Sequence, residues 1–238
     1  MPTKAIEIKG FIPVTMLDWD GKLASTLFVG GCNLRCPFCQ NAPLVTCPES
    51  IPNVEWKEVE KHLKAKKSWL DGCVVTGGEP TIHSGLKNLL SGIKKLEYPV
   101  KLDTNGTLPR VLRQLIQDKL VDFIAMDIKT TLPKYPLATR TKIETEVIKE
   151  SINLISKSGI GHEFRTTVVP GFVEREDILE VAKYLGHLGA KQYVLQQFNP
   201  RTVLDPKVGK IKPYSREYLL KLVKECNKFV PTKLRGAG

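Results

Sequence analysis

The chain lacks several features that mark other classes of protein. No apolar run is long enough to cross a bilayer, and the first residues, MPTKAIEIKGF, contain no continuous apolar segment typical of a signal peptide. The six cysteines are too few and too unevenly placed for a disulfide framework in 238 residues. No internal repeat, low-complexity segment, interdomain linker, Ser/His/Asp arrangement or phosphate-binding loop stands out. These absences predict a single cytoplasmic domain spanning residues 1–238.

Three of the cysteines cluster within eight residues, as Cys32, Cys36 and Cys39 in the stretch GGCNLRCPFCQN. Soft thiolates on one short loop favour a metal site over disulfides. An iron–sulfur cubane normally takes four thiolates, so a loop with three leaves one iron open for chemistry. Cys47 could supply a fourth ligand, which would close the iron and leave an electron carrier. A zinc site is a further alternative, although structural zinc normally takes four ligands.

Short apolar runs alternate with amphipathic segments along the chain. The runs predict six strands, at 25–30, 72–76, 98–103, 121–128, 164–169 and 191–198. Helical spacing predicts helices at 54–70, 84–96, 107–120, 143–158, 175–188 and 215–229. Ser84 and Ser215 are placed to cap two of these helices, and Gly159 and Gly189 to end two. Because a complete barrel has eight such units in about 250 residues, the pattern favours an α/β fold with an open, partial (β/α)6 barrel of parallel strands. A doubly wound sheet is the alternative.

Polar and glycine-rich residues follow nearly every predicted strand. Parallel α/β folds bind ligands at the carboxyl ends of their strands, so these residues predict one shared pocket. Turns are rich in glycine, proline, aspartate and asparagine anyway, but acidic or amide residues at nearly all of the turns favour a site. Beyond the cysteine loop, the main groups are Gly77-Gly78-Glu79-Pro80, Asp103-Thr104-Asn105-Gly106 and Met126-Asp127-Ile128-Lys129.

The spacing CxxxCxxC, followed by GGEP at 77–80, resembles the radical S-adenosylmethionine (SAM) superfamily. The resemblance covers nearly the whole chain and implies one radical SAM domain, with a core of about 22–200 and a basic extension with a helix at 201–238. It implies one [4Fe-4S] cluster held by Cys32, Cys36 and Cys39. The amino and carboxylate groups of S-adenosyl-L-methionine would chelate the fourth iron.

The resemblance also implies a set of site residues. Phe38 would lie against the adenine, and Gly77 and Gly78 would let backbone approach the methionine end. A backbone carbonyl of this turn or Glu79 would accept from the ammonium group of the cofactor. Activating enzymes of glycyl-radical proteins gather a monovalent cation at positions that correspond to Asp103, Thr104, Met126 and Asp127. The two aspartates could instead cap helices. The full cofactor-binding set is Phe38, Gly77, Gly78, Glu79, Asp103, Thr104, Asn105, Asp127 and Lys129.

Less specific segments, among them Gly10-Phe11 and Leu195-Gln196-Gln197-Phe198, are similar to anaerobic ribonucleoside-triphosphate reductase activating proteins. That resemblance implies reductive cleavage of SAM to a 5′-deoxyadenosyl radical, which would take a hydrogen atom from a glycine of a partner reductase. A nucleotide, a tRNA base or a small metabolite is the alternative substrate.

The charge of the chain is strongly positive, with 36 basic and 25 acidic residues and a net charge of +11. Residues 201–238 hold ten basic and three acidic residues, a net charge of +7. This excess predicts docking of an acidic electron donor, such as flavodoxin or ferredoxin, or of the substrate protein. It also permits nucleic acid, although no second recognition module is present, and a merely solvated basic surface is the alternative. A membrane partner is not expected.

Overall fold

The structure is a computed structural model that describes residues 6–236. Within that range eight strands belong to one sheet, in which the strand order follows the chain. β1 is antiparallel to β2, whereas β2, β3 and β4 run parallel, as do β6, β7 and β8. The strands are β1 (Ile8–Thr15), β2 (Ala24–Val29), β3 (Gly72–Gly77), β4 (Val100–Thr104), β5 (Phe123–Asp127), β6 (Gly161–Val168), β7 (Tyr193–Gln197) and β8 (Thr232–Arg235).

Helices alternate with the strands, as the apolar spacing predicts. All six predicted helices form, although several are shorter than the pattern indicates, and two short helices add to them. The helices are α1 (Ala42–Thr46), α2 (Trp56–Ala65), α3 (Leu86–Lys95), α4 (Pro109–Gln117), α5 (Tyr135–Thr139), α6 (Thr145–Lys157), α7 (Arg175–His187) and α8 (Arg216–Cys226). Among the described residues, no helix combines the length and the apolar character needed to traverse a bilayer. The cytoplasmic location stays a prediction.

The described residues group into two compact units. The first contains the residues up to Asn33, Pro43–Thr104 and Arg110–Ile124. Its core combines the inner residues of β2, β3 and β4 with the apolar stripe of α3, and each of these side chains is less than 10% exposed. They include Leu27, Val74, Val75, Leu86, Leu89, Leu90, Ile93 and Leu102. Burial of this stripe is what stabilises α3, because an isolated helix of this length is marginal in water.

The second unit contains Leu34–Ala42, Asn105–Pro109 and the chain from Ala125 onward. In this unit α6 and α7 end before Gly159 and Gly189, whose φ angles of +79° and +69° lie in the left-handed region that favours glycine. The side chain of Ser215 caps α8 by accepting from the Tyr218 N–H at 3.2 Å. These three helix-end predictions are confirmed.

Three local features differ from the sequence predictions. The cap at Ser84 is wrong, because α3 begins at Leu86 with Gly85 as its N-cap and no side-chain cap. The first and last strands are absent from the predicted set. β1 lies at the edge of the sheet, where the Pro13 carbonyl accepts from the Ser25 hydroxyl at 2.6 Å and lies 3.0 Å from Nε2 of His62.

Candidate active site

In the first unit, the start of the cysteine loop lies against the Gly-Gly-Glu turn that follows β3. The Gly78 N–H donates to the Val29 carbonyl and the Glu79 N–H donates to the Gly31 carbonyl, both at 2.8 Å. A Cβ atom on Gly78 would lie 1.8 Å from the Gly31 oxygen, so only glycine permits this approach. The predicted contact of Gly77 and Gly78 with a cofactor stays a prediction. The structure shows a separate reason for glycine at position 78, which is the close packing of its backbone against Gly31.

The Glu79 carboxylate is buried and bonded within the same unit. It is 1% exposed, and its Oε1 accepts from the Thr81 N–H at 3.0 Å, from the Thr81 hydroxyl, and from the Thr104 hydroxyl at 2.8 Å. Glu79 thereby joins the turn after β3 to the end of β4. The structure brings together two predicted site residues, Glu79 and Thr104, and gives both a structural role.

Asp103, also at the end of β4, is flanked by a hydroxyl and a buried ammonium group. The Thr76 hydroxyl donates to its Oδ2 at 3.1 Å, and the Lys101 Nζ lies 3.7 Å from its Oδ1. The Lys101 ammonium also donates to the Asp18 carbonyl at 2.5 Å and lies 5.7 Å from the Phe123 ring centroid. The positive charge next to Asp103 is therefore the ammonium group of Lys101, a residue of the chain.

In the second unit, the last two cysteines of the motif form a tight turn. The Cys39 N–H donates to the Cys36 carbonyl at 3.0 Å, and Cys36 is 6% exposed. Burial raises the pKa of the Cys39 thiol, while a hydrogen bond from the Asn41 backbone and the charge of Lys129 oppose the rise. Phe38, between them, is 4% exposed and meets the Phe172 ring edge-on at 5.6 Å. Its predicted contact with the adenine stays a prediction.

Asp127, at the end of β5, pairs with two basic side chains of the second unit. Its Oδ2 accepts from the Lys129 Nζ at 2.9 Å and its Oδ1 from the Arg165 Nε at 2.7 Å. Burial would raise the pKa of Asp127, but the charges of Arg165 and Lys129 hold it well below its usual range. Burial would lower the pKa of Lys129, but Asp127 and the thiols of Cys36 and Cys39 raise it. Lys129 is therefore a fixed positive charge near the two thiols.

Two further predicted residues have structural partners. The Asn105 Oδ1 accepts from the N–H of Thr107 at 3.0 Å and from its hydroxyl at 2.7 Å, which closes an Asx turn. Met126 is fully buried beneath Gly106, where an added Cβ would lie 2.1 Å from its Cε atom. Asn105 thus uses its side-chain oxygen to shape the turn after β4.

Comparison with known proteins shows the family to which the chain belongs. Residues 26–185 match the Radical SAM superfamily. The chain belongs to the radical SAM superfamily. A protein of Methanocaldococcus jannaschii, provisionally named a glycyl-radical enzyme activating enzyme, is 31% identical over 228 residues, which cover 94% of this chain and 92% of the relative. A GTP 3′,8-cyclase of Aquifex aeolicus is 24% identical over 86% of this chain and 64% of the cyclase.

The fold of the radical SAM chain is also found among solved structures. SuiB of Streptococcus suis, in a crystal structure bound to S-adenosylmethionine, superimposes with a TM-score of 0.67 at 17% identity. The match covers 87% of this chain but 48% of SuiB, so this chain spans about half of that protein. At this identity the likeness concerns the fold alone. The predicted α/β class with parallel strands, a partial barrel of radical SAM type, is confirmed.

The radical SAM family implies a [4Fe-4S] cluster and SAM, and the donor set of this chain fits a cluster. Cys36 and Cys39 are thiols close enough to Lys129 for its charge to act on them, and a cluster bound by thiolates is anionic. In the described part of the chain, no three His, Cys, Asp or Glu side chains surround a point that could hold one metal ion. A cubane does not require such a point, because it distributes its ligands over separate irons.

A monovalent cation fits the same residues less well. Asp103 lies near the ammonium group of Lys101, and Asp127 has both Lys129 and Arg165. Each carboxylate therefore has a positively charged partner within its own unit. Sequence reasoning missed Lys101 and Arg165 as parts of the site, although a basic residue inside a predicted strand is a signal that could have found both.

The other three cysteines fall into two classes. Cys73 and Cys226 are fully buried, and burial raises the pKa of each thiol to about 12, which agrees with the expected structural roles. Cys47 is partly exposed and accepts a weak hydrogen bond from the Thr46 hydroxyl at 3.6 Å. A role of Cys47 as a fourth ligand stays an alternative to the open iron.

Proposed function

We propose that this chain is a glycyl-radical enzyme activating enzyme, with anaerobic ribonucleoside-triphosphate reductase as the partner. The observation that carries the proposal is the similarity to the M. jannaschii protein of that provisional name, which extends over 94% of this chain and 92% of the relative. When bound, the cluster and SAM supply one electron and a sulfonium group, and reductive cleavage yields methionine and a 5′-deoxyadenosyl radical. The chemistry belongs to these cofactors, and the protein contributes binding, orientation and shielding.

The residues of this chain would hold the cofactors as follows. Cys32, Cys36 and Cys39 would each ligate one iron and leave the fourth iron to SAM. The ammonium group of Lys129 would offset the negative charge of the thiolates, since Asp127 keeps it charged and in place. Phe38, with its ring already packed on Phe172, would offer a rigid apolar face to the adenine.

The hydrogen transfer is selective through proximity. A primary carbon radical reacts with most nearby C–H bonds, so a glycine α-carbon of the partner must be the bond placed closest to it. The bound cofactors would thus supply a hydrogen-abstracting group, which would leave 5′-deoxyadenosine and an unpaired electron on the glycine of the partner.

The basic extension supports docking of an acidic protein. Eight of its ten basic side chains are exposed, namely Arg201, Lys207, Lys210, Lys212, Arg216, Lys221, Lys224 and Lys228. The other two, Lys233 and Arg235, pair with Glu163. An acidic electron donor or the acidic face of the partner would be attracted by the exposed set, and activation should slow as salt is added. Activation that is independent of salt would contradict docking by charge.

An anaerobic activation assay tests the proposal. The chain is reconstituted with iron and sulfide, reduced, and mixed with SAM and the glycyl-radical protein from the same organism. We expect a glycine-centred doublet in the electron paramagnetic resonance spectrum only when both proteins and SAM are present. Zinc in place of iron and sulfide would refute the radical assignment. Absence of the doublet with every encoded glycyl-radical protein would refute the partner.

A nucleotide substrate is the second candidate, supported by the similarity to a GTP 3′,8-cyclase and by the charge of +11. The same reconstituted protein separates the two, because 5′-deoxyadenosine is released in both cases. Release of 5′-deoxyadenosine that is stimulated by a nucleotide, in the absence of any partner protein, would favour a nucleotide substrate. Stimulation only by the glycyl-radical protein would favour activation.

A further inference from the structure

Two loops of the second unit hold the cysteine turn on both sides of Cys36. The Arg35 N–H, just before this cysteine, donates to the Thr139 carbonyl at 2.9 Å. The Pro37 carbonyl, just after it, accepts from the Asp205 N–H at 2.9 Å. The backbone on either side of Cys36 is therefore tied to a different loop.

The Asp205 side chain joins these two loops to each other. Its Oδ2 accepts from the Arg140 guanidinium at 2.5 Å, and Arg140 directly follows Thr139 in the chain. Its Oδ1 accepts from the Lys207 N–H at 2.9 Å, which fixes the turn that carries Asp205. The Asp205 carboxylate is 15% exposed, so most of it is withdrawn from water.

Arg140 is itself held in an unusual backbone conformation. It ends α5 with a φ angle of +49°, in the left-handed region that side chains other than those of glycine, asparagine and aspartate seldom adopt. An arginine at such a position costs backbone energy that a glycine would not. The ion pair with Asp205 is a contact that a glycine at this position would lack.

We propose that Asp205 is a positioning residue for the cluster, which fixes the backbone on both sides of Cys36 through Arg140 and through its own turn. The inference rests on the proposed cluster-binding function of Cys36 and Cys39. Asp205 acts through the carbonyl groups of Pro37 and Thr139. Residues that orient metal ligands in this way commonly change metal affinity 10–100-fold when they are replaced.

The test uses the unloaded and the loaded protein. Asp205→Asn keeps an Oδ1 acceptor for the Lys207 N–H and removes the charge that binds Arg140. In the unloaded chain we expect amide hydrogen exchange in the peptide 34–42 to rise several-fold. In the reconstituted protein we expect iron release to a chelator to accelerate about tenfold. Arg140→Gln should raise hydrogen exchange and iron release to the same extent. The double variant should show no further increase in either rate, because all three variants break the same ion pair.

Asp118→Asn is the matched control, since Asp118 pairs with Lys87 at 2.7 Å in the first unit. It should leave both measurements unchanged. Exchange or iron release in Asp205→Asn that equals the wild-type value overturns the proposal. Hydrogen exchange in the unloaded chain needs neither cluster nor partner, so it distinguishes failure of this inference from failure of the proposed activity.

Discussion

The ammonium group of Lys101 lies 3.7 Å from Oδ1 of Asp103, and the lysine side chain is 1% exposed. Lys101→Met would leave the aspartate without this charge in a site that is largely closed to water. We expect the free energy of unfolding to fall by about 3 kcal/mol, because removing one partner of a buried ion pair costs the charge compensation of the other. Urea denaturation of the unloaded protein under reducing conditions measures the change.

The double variant Lys101→Met/Asp103→Asn is the control for this prediction. It removes both charges, so it should recover much of the stability that the single variant loses. A single variant as stable as the wild type would show that the carboxylate draws its compensation from elsewhere.

The contact between Gly78 and Gly31 predicts the effect of one added methyl group. Gly78→Ala would place a Cβ 1.8 Å from the Gly31 oxygen and break the hydrogen bond from the Glu79 N–H to that oxygen. We expect a loss of about 3 kcal/mol or more in unfolding free energy. Gly171→Ala, with φ +82° and no atom within 4 Å, should cost about 1–2 kcal/mol for backbone strain alone. Equal losses in the two variants would contradict the steric argument.

The open-iron assignment predicts distinct outcomes for neighbouring cysteines. Cys36→Ala removes a proposed ligand, so iron and sulfide per chain should fall to background after anaerobic reconstitution. Cys47→Ala should retain the full cluster, because the motif already supplies three ligands. Loss of the cluster in Cys47→Ala would instead support a closed site with four cysteines.

His162 predicts a dependence of stability on pH. It is 3% exposed, its Nδ1 lies 3.2 Å from the Ile160 carbonyl, and its Nε2 accepts from the Lys191 N–H at 3.2 Å. These partners fit the neutral ring with the proton on Nδ1. Burial lowers the pKa of His162 below its ordinary value of 6.5.

Because the unfolded chain binds this proton more readily, His162 contributes stability that is complete above pH 6.5 and declines as the pH falls through the lower folded-state pKa. His162→Phe should flatten the slope of unfolding free energy between pH 5 and pH 7, measured by urea denaturation. An unchanged slope in His162→Phe would contradict the assignment.

The sequence predicted the six inner strands because their apolar runs become the core. It missed β1, whose Gly10 and Pro13 are residues that strands usually avoid, and β8, which has four residues, two of them charged. Both strands lie at the ends of the sheet order. Their pairing with a neighbouring strand outweighs weak local preference, and that pairing is not visible in a local pattern.

The candidate site also combines features that a local sequence pattern reveals with features that it does not. The cysteine motif and the Gly-Gly-Glu turn are local in sequence and could be recognised there. Some of the contacts that hold the charged side chains near them join distant positions. Lys101 bonds to Asp18 across 83 residues, and Arg165 bonds to Asp127 across 38. A spacing rule detects ligands that share a loop, whereas contacts between residues so far apart in sequence follow from how the strands lie side by side.

The edge strand β1 has a consequence for behaviour at high concentration. Near its start the Ile8 carbonyl already accepts from the Val54 N–H at 2.8 Å, and further along Pro13 has no N–H to offer. A strand arriving from another molecule would find an interrupted row of donors and acceptors there. The edge strand β1 therefore disfavours the intermolecular strand pairing from which fibrils grow.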